Sequence, residues 1–225
     1  MPWRQPFTMS RLIDLTLTLQ PGMRGVEFEQ NTTVAEQGWN TKTLHLYSHC
    51  GTHMDAAMHF EASPQTIDRV PLDVCCGPAW VVDIPHIQRR ALLGIDCLSG
   101  VADEAAPGDA LLLRTGWSRH AKDLDVYRNQ LPRISQSLAD WCVERQIRLL
   151  GVEPPSVADV NDLEEVTAIH KTLLGGGVTI VEGLTNLESL TARKVLFIAL
   201  PLKIAAGDGA PCRAMAIDDP DVTFP

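Results

Sequence analysis

Residues 49–60 read HCGTHMDAAMHF and hold three histidines and one aspartate within eleven positions. These four residues all carry odd numbers: His49, His53, Asp55 and His59. Because alternate residues of an extended strand share one face, the pattern predicts that three imidazoles and one carboxylate converge. Imidazole nitrogen and carboxylate oxygen are the usual ligands of zinc and similar divalent ions, so the stretch indicates a metal site.

Two other interpretations of this stretch compete with the strand. His49 and His53 are also four residues apart, as in helical zinc motifs, but Gly51 between them disfavours a helix. The preceding residues 41–47 alternate polar and apolar side chains with period two, which favours a strand. The remaining alternative is a chance cluster of surface or core histidines, although four of the chain's seven histidines fall within residues 45–59.

Composition limits the class of protein and its partners. The 225 residues suffice for a substantial core, and 19 Lys and Arg against 28 Asp and Glu give a net charge of −9. No basic tract is present, so we expect neither nucleic acid nor a membrane as partner. No apolar run reaches the length of a membrane span, and residues 1–7 lack the apolar core of a signal peptide, so a cytoplasmic location is expected. The six cysteines form no C-x-x-C pair and are expected to be reduced and mostly buried.

The order of short apolar runs predicts the fold class. Strand-like runs dominate the first half of the chain, and strands alternate with helices in the second half. Strands are predicted over 12–19, 41–47, 78–84, 109–115, 149–152, 178–182 and 195–202, and helices over 135–146 and 162–174. Asn161 or Asp162 would cap the second helix, and Gly175 would end it. No linker-like stretch interrupts the pattern, so residues 1–225 are expected to form one mixed α/β domain.

A metal site on one strand needs further ligands, and the second half of the chain offers two. His170 lies on the apolar stripe of the second predicted helix with Leu163, where a histidine is more often a core residue than a ligand. Glu182 ends a predicted strand and shares the parity of Val178 and Ile180, so it faces inward if they do. A lone carboxylate is costly to bury, and either a metal ion or a buried arginine would remove that cost.

These features together resemble the cyclase family of metal-dependent hydrolases, which includes bacterial kynurenine formamidase and isatin hydrolase. Residues 49–60 match the signature His-x-Gly-Thr-His-x-Asp-x-Pro-x-His, with Ala57 in place of the proline. The resemblance covers most of the chain and includes further segments and positions: 113–117, 155–157, His170, Glu182 and 209–214. Residues 14–23 lack the tryptophan-containing stretch by which kynurenine formamidases hold their aromatic substrate, so the sequence does not give the substrate.

The resemblance implies a swivelling β/β/α fold that assembles as a homodimer or homotetramer. It also implies two ion positions. The matches of His49, His53 and Asp55 bind one ion. The matches of Asp55, His170 and Glu182 bind a second, with the acidic residues bridging.

The expected chemistry is hydrolysis of an amide or cyclic amide bond in a small molecule. One or two divalent ions lower the pKa of bound water from 15.7 towards roughly 7 and polarise a carbonyl. The resemblance makes His59 the general acid/base, a role that suits an unperturbed pKa of roughly 6.5. The ligand set suits Zn²⁺, Mn²⁺ or Fe²⁺, of which we expect Zn²⁺ or Mn²⁺, and no other cofactor.

Two other functions remain open at this point. Cys50 is the candidate nucleophile of a cysteine hydrolase, but on an extended strand it faces away from the histidines. A non-catalytic metal-binding module would show a closed ligand shell, whereas an enzyme keeps an open coordination position. His45 shares the strand parity but precedes the motif, so it is interpreted as a supporting or structural residue.

Overall fold

The computed structural model describes residues 11–219, and most of its strands join one large sheet. The strands are β1 (Arg11–Asp14), β2 (Val26–Thr32), β3 (Thr41–Leu46), β4 (His53–Asp55), β5 (Cys76–Asp83), β6 (Leu92–Leu93), β7 (Ala110–Arg114), β8 (Arg133–Ile134), β9 (Leu149–Val152), β10 (Thr179–Glu182), β11 (Lys194–Pro201) and β12 (Gly209–Asp218). The helices are α1 (Val34–Gln37), α2 (Leu72–Cys75), α3 (Val101–Glu104), α4 (Leu124–Asn129), α5 (Gln136–Glu144) and α6 (Leu163–Gly175). Short 3-10 turns cover Ala57–Phe60, Ile67–Arg69, Ile95–Leu98, Trp117–His120 and Leu187–Ser189.

The large sheet closes on itself into a barrel-like ring of seven strands. Its strand order is β12-β11-β5-β7-β9-β10-β4, and β4 pairs back onto the start of β12. The ten residues of β12 allow this closure because its first residues pair with β4 and its last residues pair with β1. β5, β7, β9 and β10 run parallel to one another, so each connection between them must cross over the sheet, whereas the other pairs are antiparallel.

Alternate side chains of the ring face two separate cores. Ala110 and Leu112 on β7 belong to the cluster that fills the inside of the ring. Their neighbours Leu111 and Leu113 belong to a second cluster, which packs the outside of the ring against α5 and α6. Since side chains alternate along a strand, the parallel strands present one face to the interior and the other to these helices. The outer face beneath α6 also carries the polar residues described below.

The mixed α/β class expected from the sequence is confirmed, and most of its elements lie where they were predicted. The predicted and observed bounds differ by no more than two residues in seven elements: β5, β7, β9, β10, β11, α5 and α6. Ser135 and Asp162 cap α5 and α6, because their side chains accept hydrogen bonds from backbone N–H groups of the first turn. Within residues 11–219, no helix has the length and apolar character needed to cross a membrane. All six cysteines are free, and four of them are buried.

The expectation that residues 49–60 form one extended strand is wrong. Only β4 is extended, and Gly51 before it has a φ of +59°. A Cβ at Gly51 would lie 2.5 Å from Leu19 Cδ2, the end of a flexible side chain, so the positive φ is the stronger reason for glycine at this turn. Residues 57–60 form a 3-10 turn after the strand. The stretch therefore folds as turn, strand and turn, which brings its two ends towards each other.

Other differences from the predicted elements follow from long-range packing. The strand predicted over 12–19 ends at Asp14, and only Thr16 continues it, through an isolated bridge to Leu184. The buried residues of α6 begin at Ile169. Leu163, the first residue of the helix, is 79% exposed and therefore does not belong to the buried stripe. The sequence analysis did not predict β2, which pairs with β3 in a separate ribbon, or β12, which closes the ring.

Candidate metal centre

The candidate metal centre starts from one cross-strand pair on the outer face of the ring. β4 and β10 run antiparallel, with Glu182 opposite His53 and Ile180 opposite Asp55. Met54 points into the ring, so its neighbours on β4 point outward. Ile180 packs in the outer core, and Glu182 shares its face, as the predicted parity required. The three polar side chains are therefore buried side by side, each no more than 3% exposed.

Helix α6 crosses this face and contributes His170. Its Nε2 lies 3.4 Å from Glu182 Oε1 and 3.7 Å from Asp55 Oδ2. The Nε2 of His53 lies 3.2 Å from Glu182 Oε2 and 3.6 Å from Asp55 Oδ1. Donors that each bind a common zinc ion at about 2.1 Å are themselves about 3–4 Å apart. The spacing of these atoms suits a divalent ion.

The hydrogen bonds of two imidazoles fix which nitrogen is available to an ion. His53 Nδ1 lies 3.0 Å from the carbonyl oxygen of Gly51, and His170 Nδ1 lies 2.7 Å from that of Val166. A carbonyl oxygen only accepts, so Nδ1 donates in both rings, and in the neutral tautomer Nε2 keeps its lone pair. Neither His53 Nε2 nor Asp55 Oδ2, both buried, makes a well-aligned hydrogen bond within residues 11–219, although Glu182 Oε2 lies 3.2 Å from the first atom and His170 Nε2 lies 3.7 Å from the second. Two orphaned buried polar atoms in one cluster fit a bound cation.

Protons and a metal ion compete for this cluster. Burial lowers the pKa of His53 and of His170, but the carboxylates of Glu182 and Asp55 outweigh it and leave both pKa values raised. Burial raises the pKa of Asp55, whereas its hydrogen bond to His49 and the surrounding imidazoles lower it overall. Carboxylates that retain protons on neighbouring imidazoles also attract a cation. Metal binding must therefore release protons from these histidines.

His49 lies in the turn before β4 and faces two carboxylates. Its Nδ1 is 2.9 Å from Asp55 Oδ1, and its Nε2 is 2.9 Å from Asp208 Oδ2. Burial lowers its pKa, but these two contacts outweigh burial and raise the pKa to about 9. Gly209 leaves space for the ring, because a Cβ there would lie 2.7 Å from His49 Cε1.

His59 lies on the 3-10 turn after β4 and is the most exposed histidine of the cluster. Its ring stacks on that of His49 with centroids 3.8 Å apart, and its side chain is 23% exposed. Burial lowers the pKa of His59, which favours the neutral form at pH 7. One donor atom of His59 lies within 4.8 Å of donors of His49 and Asp55. The position of His59 suits a general base, and it also suits a third metal ligand beside His49 and Asp55.

A cleft of about 500 Å³ opens onto these residues. The candidate metal-centre residues that line it are His49, His53, His59, His170 and Glu182. Apolar and aromatic side chains also line the cleft: Leu17, Met23, Tyr47, Phe60, Tyr127, Val160 and Val166. Two arginines, Arg24 and Arg128, also line the cleft within residues 11–219. Clefts of this volume with a few polar groups accommodate small molecules.

Comparison with known proteins identifies the family. A family model described as putative cyclase matches residues 13–159. The chain belongs to the cyclase family. A kynurenine formamidase of Salinibacter ruber is 31% identical over 219 residues, which cover 95% of this chain and 97% of that protein.

Solved structures show the same cyclase-family fold. Isatin hydrolase A from Labrenzia aggregata, bound to benzyl benzoate, superposes with a TM-score of 0.84 at 25% identity, over 93% of this chain and 94% of that chain. A predicted metal-dependent hydrolase from Bacillus stearothermophilus superposes with a TM-score of 0.75 at 24% identity, over 93% and 98% of the two chains. The family resemblance stated from the sequence is thereby confirmed.

All six residues predicted for the cyclase-family site lie together, and sequence reasoning missed several of their supports. Asp208 contacts His49, and the backbone N–H of Val157 donates to Glu182 Oε1 at 2.8 Å. Gly183 is a further support, because a Cβ there would lie 2.4 Å from the carbonyl oxygen of Gly51. An acidic residue directly before the 209–214 segment was the one sequence signal that pointed to Asp208.

Two residues considered from the sequence do not join the cluster. His45 lies on the exposed β2–β3 ribbon, where its Nε2 is 3.6 Å from Glu29 Oε2, so a role beside the metal ligands is wrong. Cys50 lines the cleft but is buried, and burial raises the pKa of its thiol. A raised pKa disfavours the thiolate that a nucleophile requires, which weakens the cysteine-hydrolase alternative.

Proposed function

We propose that this chain is a metal-dependent hydrolase that cleaves the amide or cyclic amide C–N bond of a small molecule. The observation that carries the proposal is the pair of orphaned buried atoms, His53 Nε2 and Asp55 Oδ2, within a cluster of imidazoles and carboxylates. That cluster opens onto a cleft of small-molecule size. The similarity to a kynurenine formamidase over 95% of the chain, and to an isatin hydrolase in fold, supports an amide or lactam as substrate.

The proposed ligands are those whose donor atoms converge: His49, His53, Asp55, His170 and Glu182. Asp55 contacts all three of these histidines, which supports a site for one or two ions that share its carboxylate. A divalent ion, when bound, acidifies water and polarises a carbonyl oxygen. The mixture of imidazole and carboxylate donors suits Zn²⁺ or Mn²⁺.

His59 is proposed as the general acid/base of the reaction. Its Nδ1 faces Asp208 Oδ2 at 3.7 Å, which leaves Nε2 as the atom to exchange a proton with the substrate. Its lowered pKa keeps the ring neutral at pH 7, so it can accept a proton during attack on the carbonyl. The same proton would then pass to the departing nitrogen.

The lining of the cleft supports an aromatic or otherwise apolar substrate. Phe60 contacts the ring of His59 at 4.5 Å between centroids and that of His170 at 4.4 Å. Tyr127 is held in place by its hydroxyl, which donates to the carbonyl oxygen of Glu153 at 2.6 Å. An N-formyl aryl amine or a lactam such as isatin would place its polar group at the metal centre and its ring against these side chains.

A non-catalytic metal-binding module is the alternative. Such a module would enclose its ion in protein ligands, whereas the donors here lie at a cleft that small molecules can enter. The open cleft favours the enzyme. A cytoplasmic location and assembly as a homodimer or homotetramer remain expectations from the sequence.

A panel of N-formyl aryl amines, isatin-like lactams and cyclic imides tests the proposal. The protein is stripped with a chelator, reloaded with Zn²⁺ or Mn²⁺, and assayed against each compound. His53→Ala should lose bound metal and hydrolysis together, because Nε2 of this ring is aimed at both carboxylates. His45→Ala removes an exposed histidine of the ribbon and is the matched control, expected to retain both. A His53→Ala variant with undiminished hydrolysis would refute the proposal.

A further inference from the structure

Three imidazoles of the metal centre, those of His49, His53 and His170, each place one ring nitrogen within hydrogen-bond distance of a group that is not a proposed ligand. Backbone carbonyls hold His53 and His170 through Nδ1. A carboxylate holds His49 instead, because Nε2 of this ring lies 2.9 Å from Asp208 Oδ2. Carbonyl and ionised carboxylate oxygens only accept hydrogen bonds, so the outer nitrogen carries a proton in all three rings. His49 is therefore the reverse of the other two rings, with Nδ1 rather than Nε2 turned towards Asp55.

We propose that Asp208 is a positioning residue that fixes the tautomer of His49, so that Nδ1 offers its lone pair to the ion shared with Asp55. This inference rests on the proposed function, since it takes His49 as a ligand. Asp55 and Asp208 are the carboxylates that contact His49 among residues 11–219. Nδ1 already lies 2.9 Å from Asp55 Oδ1, so this nitrogen must give up its proton when an ion binds, whereas Nε2 must keep its own. Asp208 favours this tautomer because it accepts the hydrogen bond of Nε2–H from the opposite side of the ring.

The backbone around Asp208 is held against the site by strand pairing. Its carbonyl oxygen accepts a hydrogen bond from the N–H of Ala56 at 2.9 Å, immediately after β4. The next residue, Gly209, begins β12 and pairs with Asp55. The Asp208 carboxylate also accepts a hydrogen bond from Ser48 Oγ at 3.3 Å. The residue is thus attached to both sides of the turn that carries His49, although its side chain is 44% exposed.

Asp208 also lies close to the proposed acid/base. The same Oδ2 is 3.7 Å from His59 Nδ1, and the His59 ring stacks on that of His49. Loss of the carboxylate would therefore disturb two rings at once. We expect both metal affinity and turnover to fall in a variant that lacks it.

Metal affinity of Asp208 variants, measured by competition with a chromogenic chelator using Co²⁺ and Zn²⁺ alone, tests the proposal. Asp208→Ala should bind the same number of ions as the wild type with an affinity about 10–100-fold lower, the range for loss of an orienting carboxylate. Asp208→Asn keeps an oxygen that can accept from Nε2–H, so it should retain more affinity than Asp208→Ala. The control is Asp68→Ala. Asp68 accepts a hydrogen bond from the N–H of Ala206, two residues before Asp208, and no histidine contacts it within residues 11–219, so this variant should bind metal like the wild type.

A ring-nitrogen NMR spectrum of the Zn²⁺-loaded protein supplies a signature that loop damage would not produce. Two metal-bound imidazoles should coordinate through Nε2 and one through Nδ1, and Asp208→Ala should change the Nδ1-bound ring. A spectrum with all rings bound through Nε2 would overturn the proposal. So would an unchanged affinity in Asp208→Ala, an equal loss in Asp68→Ala, or the loss of a whole ion in Asp208→Ala, which would make Asp208 a ligand. A wild type that binds no ion would instead refute the proposed function.

Discussion

At the scale of single residues, Asp55 is the centre of the site. It is 1% exposed and contacts three imidazoles, yet its Oδ2 has no hydrogen-bond partner among residues 11–219. A buried acceptor left unsatisfied costs about 1–3 kcal/mol. Within the protein alone, protons on the surrounding histidines balance this charge, as their raised pKa values indicate. A bound cation would balance the charge of the Asp55 carboxylate without protons on these histidines.

The raised pKa of His49 predicts how the metal-free protein responds to pH. Its pKa rises from 6.5 to about 9 on folding, so its contribution to stability is fully present below pH 6.5 and is lost as the pH rises through about 9. His53 and His170 are shifted in the same direction. The chelated protein should therefore unfold at a lower temperature at pH 9 than at pH 6.5.

Stoichiometric Zn²⁺ should raise the unfolding temperature more at pH 9 than at pH 6.5, because fewer protons must then be displaced. Calorimetry of chelated and loaded protein at both pH values checks this. His49→Asn is the control, in which the pH dependence of the chelated protein should flatten. A metal-induced shift that is larger at pH 6.5 would contradict the assignment of these histidines.

His59→Asn should keep its metal and lose turnover. A general acid/base typically supplies about 10²–10⁴-fold in rate, and the variant should lose kcat in that range. Elemental analysis and steady-state kinetics on the same preparation measure both properties, with the exposed His45→Asn as control. If His59→Asn loses an ion in proportion to its activity, His59 is a ligand, which its proximity to His49 and Asp55 would then explain.

At the scale of elements, the site depends on β4 and β10 side by side, and the sequence predicted only part of this. The prediction that Glu182 faces the same side as Ile180 was right, because the two-residue period of a strand is a local property. The stretch 49–60 was wrong as a single strand, yet its residues still converge, because the turns at either end of β4 bring His49 and His59 together. Asp208 reaches the site only because Gly209 pairs with Asp55, a long-range contact that the local sequence signal before the 209–214 segment did not specify.

Glu182→Gln should separate metal binding from folding. The amide carries no charge and bridges ions poorly, so metal content should fall towards one ion per chain, with strong loss of activity if the reaction needs both ions. The oxygen of Gln can still accept from Val157 N, so the fold should persist by circular dichroism.

Glu153→Gln is the matched control for Glu182→Gln, because Glu153 is also a fully buried glutamate. Its carboxylate accepts hydrogen bonds from Thr115, Trp117 and Ser118 rather than facing histidines. Glu153→Gln should keep its metal and lose stability on the order of 2 kcal/mol, the scale of hydrogen bonds to a charged group. If Glu182→Gln instead retains metal and loses stability as this control does, Glu182 is structural and a two-ion site is excluded.

At the scale of the whole molecule, the closed ring was not predictable from the sequence, although its class was. Runs of apolar residues gave the strands and helices of the second half, since those patterns are local. Closure of the sheet depends on which strands pair, and the pairing of β4 with both β10 and β12 joins segments far apart in the chain. That closure places the polar residues of β4 outside the ring, beneath α6.

Assembly belongs to the same scale and remains a prediction. The resemblance to the cyclase family implies a homodimer or homotetramer, and symmetric dimers are the commonest oligomers. Light scattering over a wide concentration range should give the mass of two or four chains. A mass of 24.7 kDa, that of one chain, throughout the range would refute this expectation.

The most direct test of the central claim is a titration of chelated protein with Zn²⁺ or Mn²⁺ while hydrolysis of an N-formyl aryl amine or an isatin-like lactam is followed. The chelated protein should be inactive. Hydrolysis should then rise with added ion and reach a plateau at one or two ions per chain, because His49, His53, Asp55, His170 and Glu182 offer donors for no more. Full hydrolysis by the chelated protein, unchanged by added ion, would contradict the account.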